Sequence, residues 1–369
     1  MSKHGKVLVA MSGGIDSTVT AMILHEEGYE VVGITMKTWD YANSGGSKKE
    51  TGCCSLDSIN AAREVAVTMS FPQFIVDIRE EFGDYVIDNF VDEYLAGRTP
   101  NPSVLCNTHI KWNSLLKRAD ALDCEFIATG HYAKIMHEND RYFIRKSVDL
   151  KKDQSYVLWG LSQECMARSQ FPLGGMTKPE VRQLAADFGY EEISKKAESF
   201  EICFVPDNDY RGFLKRRVPE LEGKVAGGDF INTAGEVIGK HQGYPFYTIG
   251  QRKGLGMAFG QPMFVTEIRP TTNTVVLGTS DELVRNGMTV GQLNNQKYAT
   301  IPADLELITK IRYKDKGAFS TVVQEGDKAQ VNFLANVKGV APGQSAVFYD
   351  GEDVVAGGII YGGHLFGVN

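Results

Sequence analysis

The stretch Leu8–Leu24, LVAMSGGIDSTVTAMIL, places two glycines between an apolar run and a segment with helical periodicity. A strand, a glycine-rich turn and a helix in this order form a phosphate site, because backbone N–H groups and the positive end of the helix converge on one point. The two glycines would let the backbone approach a ligand closely, and Ser12 and Ser17 would donate hydroxyl hydrogen bonds. The stretch therefore predicts a phosphate-holding loop at the edge of an α/β sheet.

The turn differs from two better-known phosphate loops. It lacks the lysine that a Walker A loop carries before its final Ser or Thr, and it lacks the spacing of a dinucleotide-binding fingerprint. The helix is predicted to begin at about Thr18, so Asp16 either caps the helix or helps to hold a Mg²⁺ ion. A tight strand-to-helix turn without a ligand is the alternative for a generic pair of glycines.

Up to about Val205 the chain alternates short apolar runs with helical periodicity, which is typical of a parallel sheet wrapped by helices. A hairpin is expected in YAKIMHENDRYFIRKS, on both sides of HEND. The predicted strands are KVLVA, EVVGITM, FIVDI and EFIATGH. The predicted helices begin near Thr18, cover Leu56–Met69 and Glu80–Leu95, and run from just after Cys106 to Leu122.

Past Asp207 the sequence changes to short strands between glycine-rich turns, with one brief helix near YRGFLKRR. From Gln261 to Asn369 the segments alternate strand and turn, as in MFVTEIRP, NTVVLGT and QSAVFYD, which predicts a small barrel or sandwich. We expect three domains: an α/β domain over residues 1–206, a small connecting domain over 207–275 and a β-barrel over 276–369.

Length, composition and charge restrict the number of domains, the class of partner and the cellular location. A chain of 369 residues with 43% hydrophobic content can bury more than one core, and its net charge of −7 does not favour a polyanionic partner unless basic residues gather on one face. The apolar run before the glycines is too short for a signal peptide, and no segment approaches the length of a membrane helix. We expect a cytoplasmic protein whose six cysteines are kept for chemistry, for metal or for packing.

Two cysteines lie where reactivity is plausible. Cys106 comes just before a predicted helix, whose dipole would stabilise a thiolate, and the preceding TPNP predicts an irregular, exposed loop. Cys203, in EICFVP, lies where the α/β part ends, and domain junctions are frequent sites of ligand pockets. The alternatives are a small buried residue at Cys106 and a core strand residue at Cys203.

The adjacent Cys53 and Cys54 in GCCSL are interpreted differently. Neighbouring thiols rarely close a tetrahedral metal site alone, and no Cys-x-x-Cys pair or histidine cluster lies near in sequence. We therefore expect packing or incidental exposure, and no metal site. Three basic clusters near aromatic residues, FLKRRV, GQRKGLG and KIRYKDK, are either RNA phosphate contacts or a solvated surface.

The string SGGIDS resembles the pyrophosphate-binding loop of the ATP pyrophosphatase families, which cut ATP between its α and β phosphates. Together with GRTPNPSVLCN, ATGHYAK, KDQSYVL, EICFVP, GQRKGLG and APGQSAVFYDGE, it makes the whole chain resemble the tRNA-specific 2-thiouridylase family. The resemblance implies an adenine-nucleotide-hydrolase-like N-terminal domain, a small central domain and a C-terminal β-barrel that docks tRNA.

The resemblance also implies a reaction. ATP, accompanied by Mg²⁺, adenylates the C2 oxygen of the wobble uridine in tRNAs for Lys, Glu and Gln, and sulfur from a persulfide carrier protein then replaces that oxygen. Adenylation makes a urea-like oxygen a good leaving group, and AMP and pyrophosphate are released. In this family the cysteine matching Cys203 carries the persulfide, and the cysteine matching Cys106 is the nucleophile that releases sulfur by forming a disulfide with Cys203.

The family's binding residues carry over to three groups of positions. The ATP-binding positions are Ala10, Met11, Ser12, Gly13, Gly14, Ile15, Asp16, Ser17, Met36 and Gly130. The target-base positions are Asn101, Pro102 and Ser103. The tRNA-binding positions are His131, Lys152, Asp153, Gln154, Arg312, Tyr313 and Gln344. Met36 and Gly130 follow strands, as ligand-binding residues do in such folds, with core packing as the alternative for Met36.

One position departs from the family pattern. The family usually carries an aspartate three residues before the first catalytic cysteine, and Ser103 stands there in this chain. A serine hydroxyl is no proton acceptor near neutral pH, although it can form a hydrogen bond. Either the aspartate is dispensable, or another group such as Asp153 or a substrate phosphate takes its part. We expect Ser103 to contact the target base without acting as a general base.

Two other functions compete with this interpretation. The first is a C–N bond-forming ATP pyrophosphatase of the argininosuccinate or GMP synthetase type, which would need no paired cysteines. The second is a noncatalytic tRNA-binding protein that holds ATP as a structural ligand. Release of AMP together with a thiolated tRNA separates the thiolating enzyme from both.

Overall fold

The computed structural model describes residues 3–39, 55–191, 202–205 and 207–365, so Cys53 and Cys54 lie outside the described residues. The chain forms two compact units, and each unit is discontinuous in sequence. The first unit consists of Met1–Val86, Ser103–Asp209 and Glu352–Val354, and the second consists of Ile87–Pro102, Tyr210–Gly351 and Val355–Asn369.

A parallel sheet forms the centre of the first unit, as predicted. The strands up to residue 191 are β1 (Lys6–Ala10), β2 (Glu30–Lys37), β3 (Gln73–Asp77), β4 (Phe126–Ala128), β5 (Ala133–Glu138), β6 (Arg141–Lys146) and β7 (Ser169–Gln170). Five of them pair in parallel in the order β3-β2-β1-β4-β7. Val7, Leu8 and Val9 of the central strand are completely buried, because helices cover both faces of such a sheet.

The helices follow the predicted alternation, with different boundaries at two functional positions. The first helix begins at Ile15, earlier than predicted, and another helical run begins at Pro102, ahead of Cys106. The α-helices up to residue 191 are Ile15–Glu26, Leu56–Thr68, Arg79–Phe82, Asp88–Leu95, Pro102–Leu105, Trp112–Ala121, Gln163–Ala167 and Lys178–Asp187. Two π-helical segments, Gly83–Ile87 and Cys106–Lys111, continue helices of this set, and two 3-10 turns cover Ser155–Leu158 and Pro172–Gly175.

The predicted hairpin is confirmed by the antiparallel pairing of β5 with β6. Its turn contains Asn139 and Asp140, which both adopt positive φ (51° and 59°). Asn and Asp tolerate this conformation better than other residues, and positive φ at both central positions is the signature of a two-residue hairpin turn. HEND therefore fixes the register between the two strands.

The second unit contains a small sheet and a barrel. The barrel confirms the prediction for the chain from Val284 onward, whereas the stretches MFVTEIRP and NTVVLGT, which were predicted to belong to it, lie in the small sheet. The small sheet has the order β10-β11-β8-β9, and the barrel strands follow the order β12-β15-β14-β13-β16-β17, with β12 also paired to β17. The strands are β8 (Gly228–Asn232), β9 (Val237–His241), β10 (Phe264–Arg269), β11 (Thr274–Gly278), β12 (Val284–Asn295), β13 (Leu307–Lys310), β14 (Ala318–Glu325), β15 (Lys328–Lys338), β16 (Ser345–Asp350) and β17 (Asp353–His364).

Closure through β12 and β17 leaves the barrel without an open edge, and its interior is apolar. Val290, Val331, Phe348 and Ile360 belong to this core. Two further helices, Tyr210–Arg217 and Leu221–Val225, and the 3-10 turns Tyr244–Phe246 and Pro270–Thr272 precede the barrel in the chain. None of the helices within the described ranges is long and apolar enough to cross a membrane.

The segment Ile87–Pro102 packs inside the second unit, although it lies between two parts of the first unit in sequence. The ring of Tyr94 stacks on Tyr210 with centroids 4.8 Å apart, and Phe90 meets Phe213 edge-on at 5.9 Å. The hydroxyl of Tyr244 donates a 2.6 Å hydrogen bond to the carbonyl oxygen of Leu95. These aromatic contacts hold the helix Asp88–Leu95 in the second unit.

Candidate functional site

The SGGIDS loop is held in shape by its own hydroxyl groups. The Oγ of Ser17 accepts a 3.1 Å hydrogen bond from the backbone N–H of Ser12 and donates one of 3.1 Å to the carbonyl oxygen of Gly14. Gly13 adopts a φ of +69°, and a Cβ atom there would lie 1.9 Å from the carbonyl oxygen of Ser58. Glycine is therefore required at this position by conformation and by space.

Asp16 does not cap the helix, contrary to one of the two roles predicted for it. Gly14 is the N-cap residue, with an extended backbone, and the helix begins at Ile15. Asp16 therefore lies in the first turn, where a carboxylate is also favoured by the helix dipole. Its side chain points to partners from distant parts of the sequence.

The carboxylate of Asp16 accepts three hydrogen bonds within the first unit. Nζ of Lys178 lies 2.7 Å from Oδ1 and 2.8 Å from Oδ2, and the hydroxyl of Tyr132 donates to Oδ1 at 2.8 Å. The side chain of Lys178 is only 8% exposed, and that of Asp16 is 32% exposed. The SGGIDS loop contains no lysine, but the ammonium group of Lys178 contacts the carboxylate of Asp16 within it.

Lys178 was missed by the sequence analysis, although MTKPEVRQL contains a signal for it. Thr177 and Glu180 form a capping box, so Lys178 is the first residue of a helix. Cations are unfavourable at that end of a helix, and lysine is rarely buried without a partner. A buried lysine in this position therefore indicates a nearby carboxylate, but the sequence does not identify the residue that supplies it.

Gly130 and Met36 lie where the strands of the sheet end. A Cβ atom on Gly130 would lie 2.7 Å from the carbonyl carbon of Asp16, so this glycine abuts the loop directly. Met36 is half-buried near the end of β2 and pairs in register with Val76. The carboxyl ends of parallel strands are the usual ligand-binding edge of such sheets.

The described side chains at this edge of the sheet do not form a metal site. Asp16 is already bonded to Lys178 and Tyr132. Among the described residues there is no group of three or more His, Cys, Asp or Glu side chains that could hold an ion. A Mg²⁺ ion would therefore take most of its ligands from phosphate oxygens and water, as this ion usually does.

Cys106 occupies an unexpected environment. The helix begins at Pro102, whose fixed φ suits the first helical position, so Cys106 lies inside the helical run at the start of the π-helical segment Cys106–Lys111. The prediction that Cys106 lies at a helix N-terminus in an exposed loop is wrong, because its side chain is buried. Stabilisation of its thiolate by the end of a helix does not follow from this geometry.

Cys203 lies in a turn of the first unit and is half-buried. The next residue, Phe204, is 1% exposed and packs edge-on against Phe82 with ring centroids 5.8 Å apart. The backbone N–H of Val205 donates to the carbonyl oxygen of Ile202 at 2.9 Å and closes the turn. Residues 202–205 are therefore not a strand, and Phe204 anchors the cysteine that precedes it.

Two of the described cysteines, Cys124 and Cys165, lie outside the family motifs; both are buried, and burial raises the pKa of both thiols. Buried thiols of high pKa are inert, which suits packing roles. Cys106, Cys124, Cys165 and Cys203 are all thiols in this structure.

Four of the predicted tRNA-binding residues lie in the first unit, and the side chains of three of them, His131, Asp153 and Gln154, form internal hydrogen bonds. The carboxylate of Asp153 accepts from the backbone N–H of Ser147 and from the hydroxyl of Ser155. Oε1 of Gln154 accepts from the N–H of Tyr132, the residue that also contacts Asp16. These bonds hold the Asp153 carboxylate within its own segment of the chain, so the geometry does not favour it as a general base for a bound uridine.

His131 is a neutral imidazole. Burial, reinforced by the charge of Lys111, lowers its pKa to about 3. Its Nδ1 lies 2.6 Å from the hydroxyl of Thr129, and its ring packs near those of Trp112 and Phe171. A neutral ring can contact a base or a sugar, but it brings no positive charge to a phosphate.

Three predicted tRNA-binding residues lie in the barrel of the second unit. Arg312 donates a 2.8 Å hydrogen bond to the carbonyl oxygen of Lys338, and Tyr313 is 41% exposed. Gln344 bonds to carbonyl oxygens of the loop that ends at Pro102. In that loop Asn101 and Pro102 are half-buried, and Ser103, the next residue, is exposed.

Family models match most of the chain. The models described as tRNA methyl transferase HUP domain, tRNA methyl transferase PRC-barrel domain and Aminomethyltransferase beta-barrel domain match residues 5–207, 211–279 and 285–360. They follow the order of α/β part, connecting part and barrel along the chain.

Curated relatives match the chain over almost its full length. It is 63% identical to the tRNA-specific 2-thiouridylase MnmA of Amoebophilus asiaticus, over 97% of this chain and 96% of that protein. It is also 63% identical to the protein of the same name from Cytophaga hutchinsonii, over 98% of each chain. Among solved structures, a 4-thiouridine synthetase in complex with RNA and ATP is 18% identical over 58% of this chain and 51% of its own, with a TM-score of 0.37.

The lowered pKa of His131 predicts a pH dependence of stability. The imidazole has a pKa of about 3 in the folded chain against an ordinary value of 6.5, so between these values the unfolded chain binds the extra proton. The contribution of the neutral ring is present above pH 6.5 and is lost as the pH falls towards 3. Urea unfolding should show a steeper loss of stability below pH 6.5 in the wild type than in His131→Asn.

The same substitution at His137, which lies exposed in the hairpin, is the control for this comparison. Parallel pH profiles for the wild type and His131→Asn would contradict the prediction.

Proposed function

The chain belongs to the tRNA-specific 2-thiouridylase family, and on that premise we propose that it uses ATP to activate the wobble uridine of tRNA and replaces its C2 oxygen with persulfide sulfur. The chain is a tRNA-uridine 2-sulfurtransferase. The observation that carries the proposal is that the first unit contains both a glycine-rich loop at the start of a helix and two thiols at the family's cysteine positions. The loop supplies activation and the thiols supply sulfur chemistry.

The activation step uses the loop. The uridine C2 oxygen attacks the α-phosphorus of ATP, and pyrophosphate leaves with the electron pair of the broken P–O bond. Backbone N–H groups at the start of the helix Ile15–Glu26 and the cation of Lys178, which is paired with Asp16, would stabilise the departing negative charge. Mg²⁺ bound to the phosphates would add to this stabilisation. The proposed ATP site comprises Ala10–Ser17, Met36 and Gly130.

The sulfur step uses the cysteines. Cys203 receives a sulfur atom from a carrier protein as a persulfide, whose terminal sulfur attacks C2 as AMP leaves. The thiolate of Cys106 then attacks the inner sulfur of Cys203, breaks the S–S bond and leaves sulfur on C2. A disulfide between the two cysteines remains, and an external thiol must reduce it before the next turnover.

The family names offer a second candidate reaction, methyl transfer, because two matching models are described by that term. The relatives named for thiolation are more informative, since they align at 63% identity over almost the whole chain. A C–N bond-forming reaction would leave the paired cysteines without a role. Thiolation alone among these reactions uses both the loop and the thiols.

The tRNA contacts are part of the proposal. Arg312 and the exposed ring of Tyr313 suit phosphate pairing and base stacking, respectively. His131, Lys152, Asp153 and Gln154 would contact tRNA from the first unit, and Asn101, Pro102 and Ser103 would contact the target base. The expected substrates are tRNAs for Lys, Glu and Gln.

The reaction is tested by incubating the protein with ATP, Mg²⁺, tRNA, a persulfide donor, a thiol reductant and S-adenosylmethionine. Mass spectrometry of the nucleosides should show 2-thiouridine, with one AMP released for each thiolated base. A methylated nucleoside without 2-thiouridine would support methyl transfer, and tRNA that is left unmodified would contradict catalysis of either kind.

The variant Cys203→Ser should give no 2-thiouridine, because a hydroxyl cannot carry persulfide sulfur, while its affinity for ATP stays unchanged. The matched control is Cys124→Ser, since Cys124 is a buried thiol outside the proposed site. Thiolation by Cys203→Ser at the control rate would contradict the proposed role.

Ser103→Ala should retain thiolation within about tenfold of the wild type, because loss of one hydrogen bond costs about 1 kcal/mol. Cys106→Ala should lose thiolation altogether. Rates at saturating tRNA, with tRNA affinity measured separately, check the comparison. If Ser103→Ala lost as much activity as Cys106→Ala with tRNA binding intact, Ser103 would have a larger part than a contact to the base.

Lys178→Met should weaken ATP binding by about tenfold or more, because the Asp16 carboxylate would then face the phosphates without its cation. Isothermal titration with ATP measures the effect, and circular dichroism checks that the variant is folded. The control is Lys224→Met, which removes a lysine whose side chain is 68% exposed in the second unit. Equal ATP affinity in Lys178→Met and the control would show that Lys178 does not contribute to ATP binding.

A further inference from the structure

Gln344 connects a turn of the barrel to the loop Arg98–Pro102 within the second unit. Its Nε2 atom donates to the carbonyl oxygens of Thr99 and Pro100, at 3.0 and 2.9 Å. Beside it, the backbone N–H of Thr99 donates to the carbonyl oxygen of Pro342 at 2.8 Å. Two consecutive residues of the loop are thus bonded to one turn.

The turn is a firm anchor for these bonds. The N–H of Gly343 donates to the carbonyl oxygen of Ile360 at 2.9 Å, and the N–H of Ile360 donates to the carbonyl oxygen of Gln344 at 2.8 Å. Gly343 has a φ of +88°, and a Cβ atom there would lie 2.8 Å from the carbonyl oxygen of Thr99. The turn therefore has a fixed backbone and leaves no room for the loop to approach more closely.

The other end of the loop is fixed by an ion pair. The guanidinium of Arg98 contacts the carboxylate of Glu93 through Nε at 2.8 Å and Nη2 at 2.5 Å, and the N–H of Arg98 donates to the carbonyl oxygen of Glu93. Pro100 is buried, whereas Ser103 is exposed. Accessibility therefore rises along the loop, from the residues that Gln344 holds to those proposed to meet the base.

The number of N–H groups on the Gln344 side chain limits the hydrogen bonds that it can donate to RNA. A glutamine amide nitrogen carries two hydrogens, and both are used on the carbonyl oxygens of Thr99 and Pro100. Phosphate oxygens only accept hydrogen bonds, so this side chain has no donor left for the tRNA backbone.

We propose that Gln344 is a positioning residue for the thiolation reaction: by holding the carbonyl groups of Thr99 and Pro100, it sets the backbone from which Asn101 and Pro102 meet the target base. This role rests on the proposed function. A positioning residue changes the thiolation rate of the enzyme–tRNA complex, whereas a tRNA contact changes the affinity for tRNA.

The test uses the full-length protein with ATP, Mg²⁺, tRNA, a persulfide donor and a thiol reductant. Gln344→Met keeps the length of the side chain and removes both donors. We expect the rate at saturating tRNA to fall about tenfold or more, since misplacement of positioning groups is costly, while the tRNA dissociation constant stays within about twofold. A raised dissociation constant with an unchanged saturating rate would identify a tRNA contact and overturn the proposal.

Two further variants sharpen the result. Gln344→Lys restores N–H donors and should recover at least about half of the wild-type rate, because an ammonium can donate to two carbonyl oxygens. Gln330→Met removes an exposed glutamine of the same barrel and should behave as the wild type. Equal rates for Gln344→Met and the wild type, or no recovery in Gln344→Lys, would refute the positioning role. A wild-type protein that forms no 2-thiouridine would instead refute the proposed function.

Discussion

The ion pair between Asp16 and Lys178 joins the SGGIDS loop to the helix Lys178–Asp187. A cation at the first position of a helix, almost fully buried, is unfavourable unless a carboxylate neutralises it. Asp16 does so from the first turn of another helix, where its own charge is favoured by the dipole. The hydroxyl of Tyr132 adds a third bond and extends the network, since the backbone of Tyr132 is bonded to Gln154. One network therefore joins the proposed phosphate site to a proposed tRNA contact.

Much of the fold could be predicted because its signals are local. Apolar runs such as KVLVA indicate buried strands, alternation on both sides of HEND indicates a hairpin, and short regular strands indicate a small barrel or sandwich. The family motifs likewise led to Cys106 and Cys203, because each motif spans several residues in a fixed order. The structure brings the SGGIDS loop and Gly130 together, as the carboxyl ends of parallel strands require.

What could not be predicted depends on contacts between residues far apart in sequence, or on which residue begins a helix. Lys178 and Asp16 are 162 positions apart, and no local pattern specifies such a partner. Pro102 begins the helix that was expected to follow Cys106, so the cysteine lies inside a helical run that continues with a π-helical segment. An irregular turn of this kind arises from tertiary packing and often lies at functional sites. The sequence identified the cysteine but not its surroundings.

The discontinuous composition of the second unit has a consequence for how the chain folds during synthesis. The helix Asp88–Leu95 leaves the ribosome well before its partners Tyr210 and Phe213, which are translated more than a hundred residues later. Until then, the aromatic faces of Phe90 and Tyr94 have no native neighbours from the C-terminal part of the chain. The N-terminal segment therefore cannot complete its native packing as the first part of a growing polypeptide, and a fragment that ends at Asp209 would present these faces to water permanently.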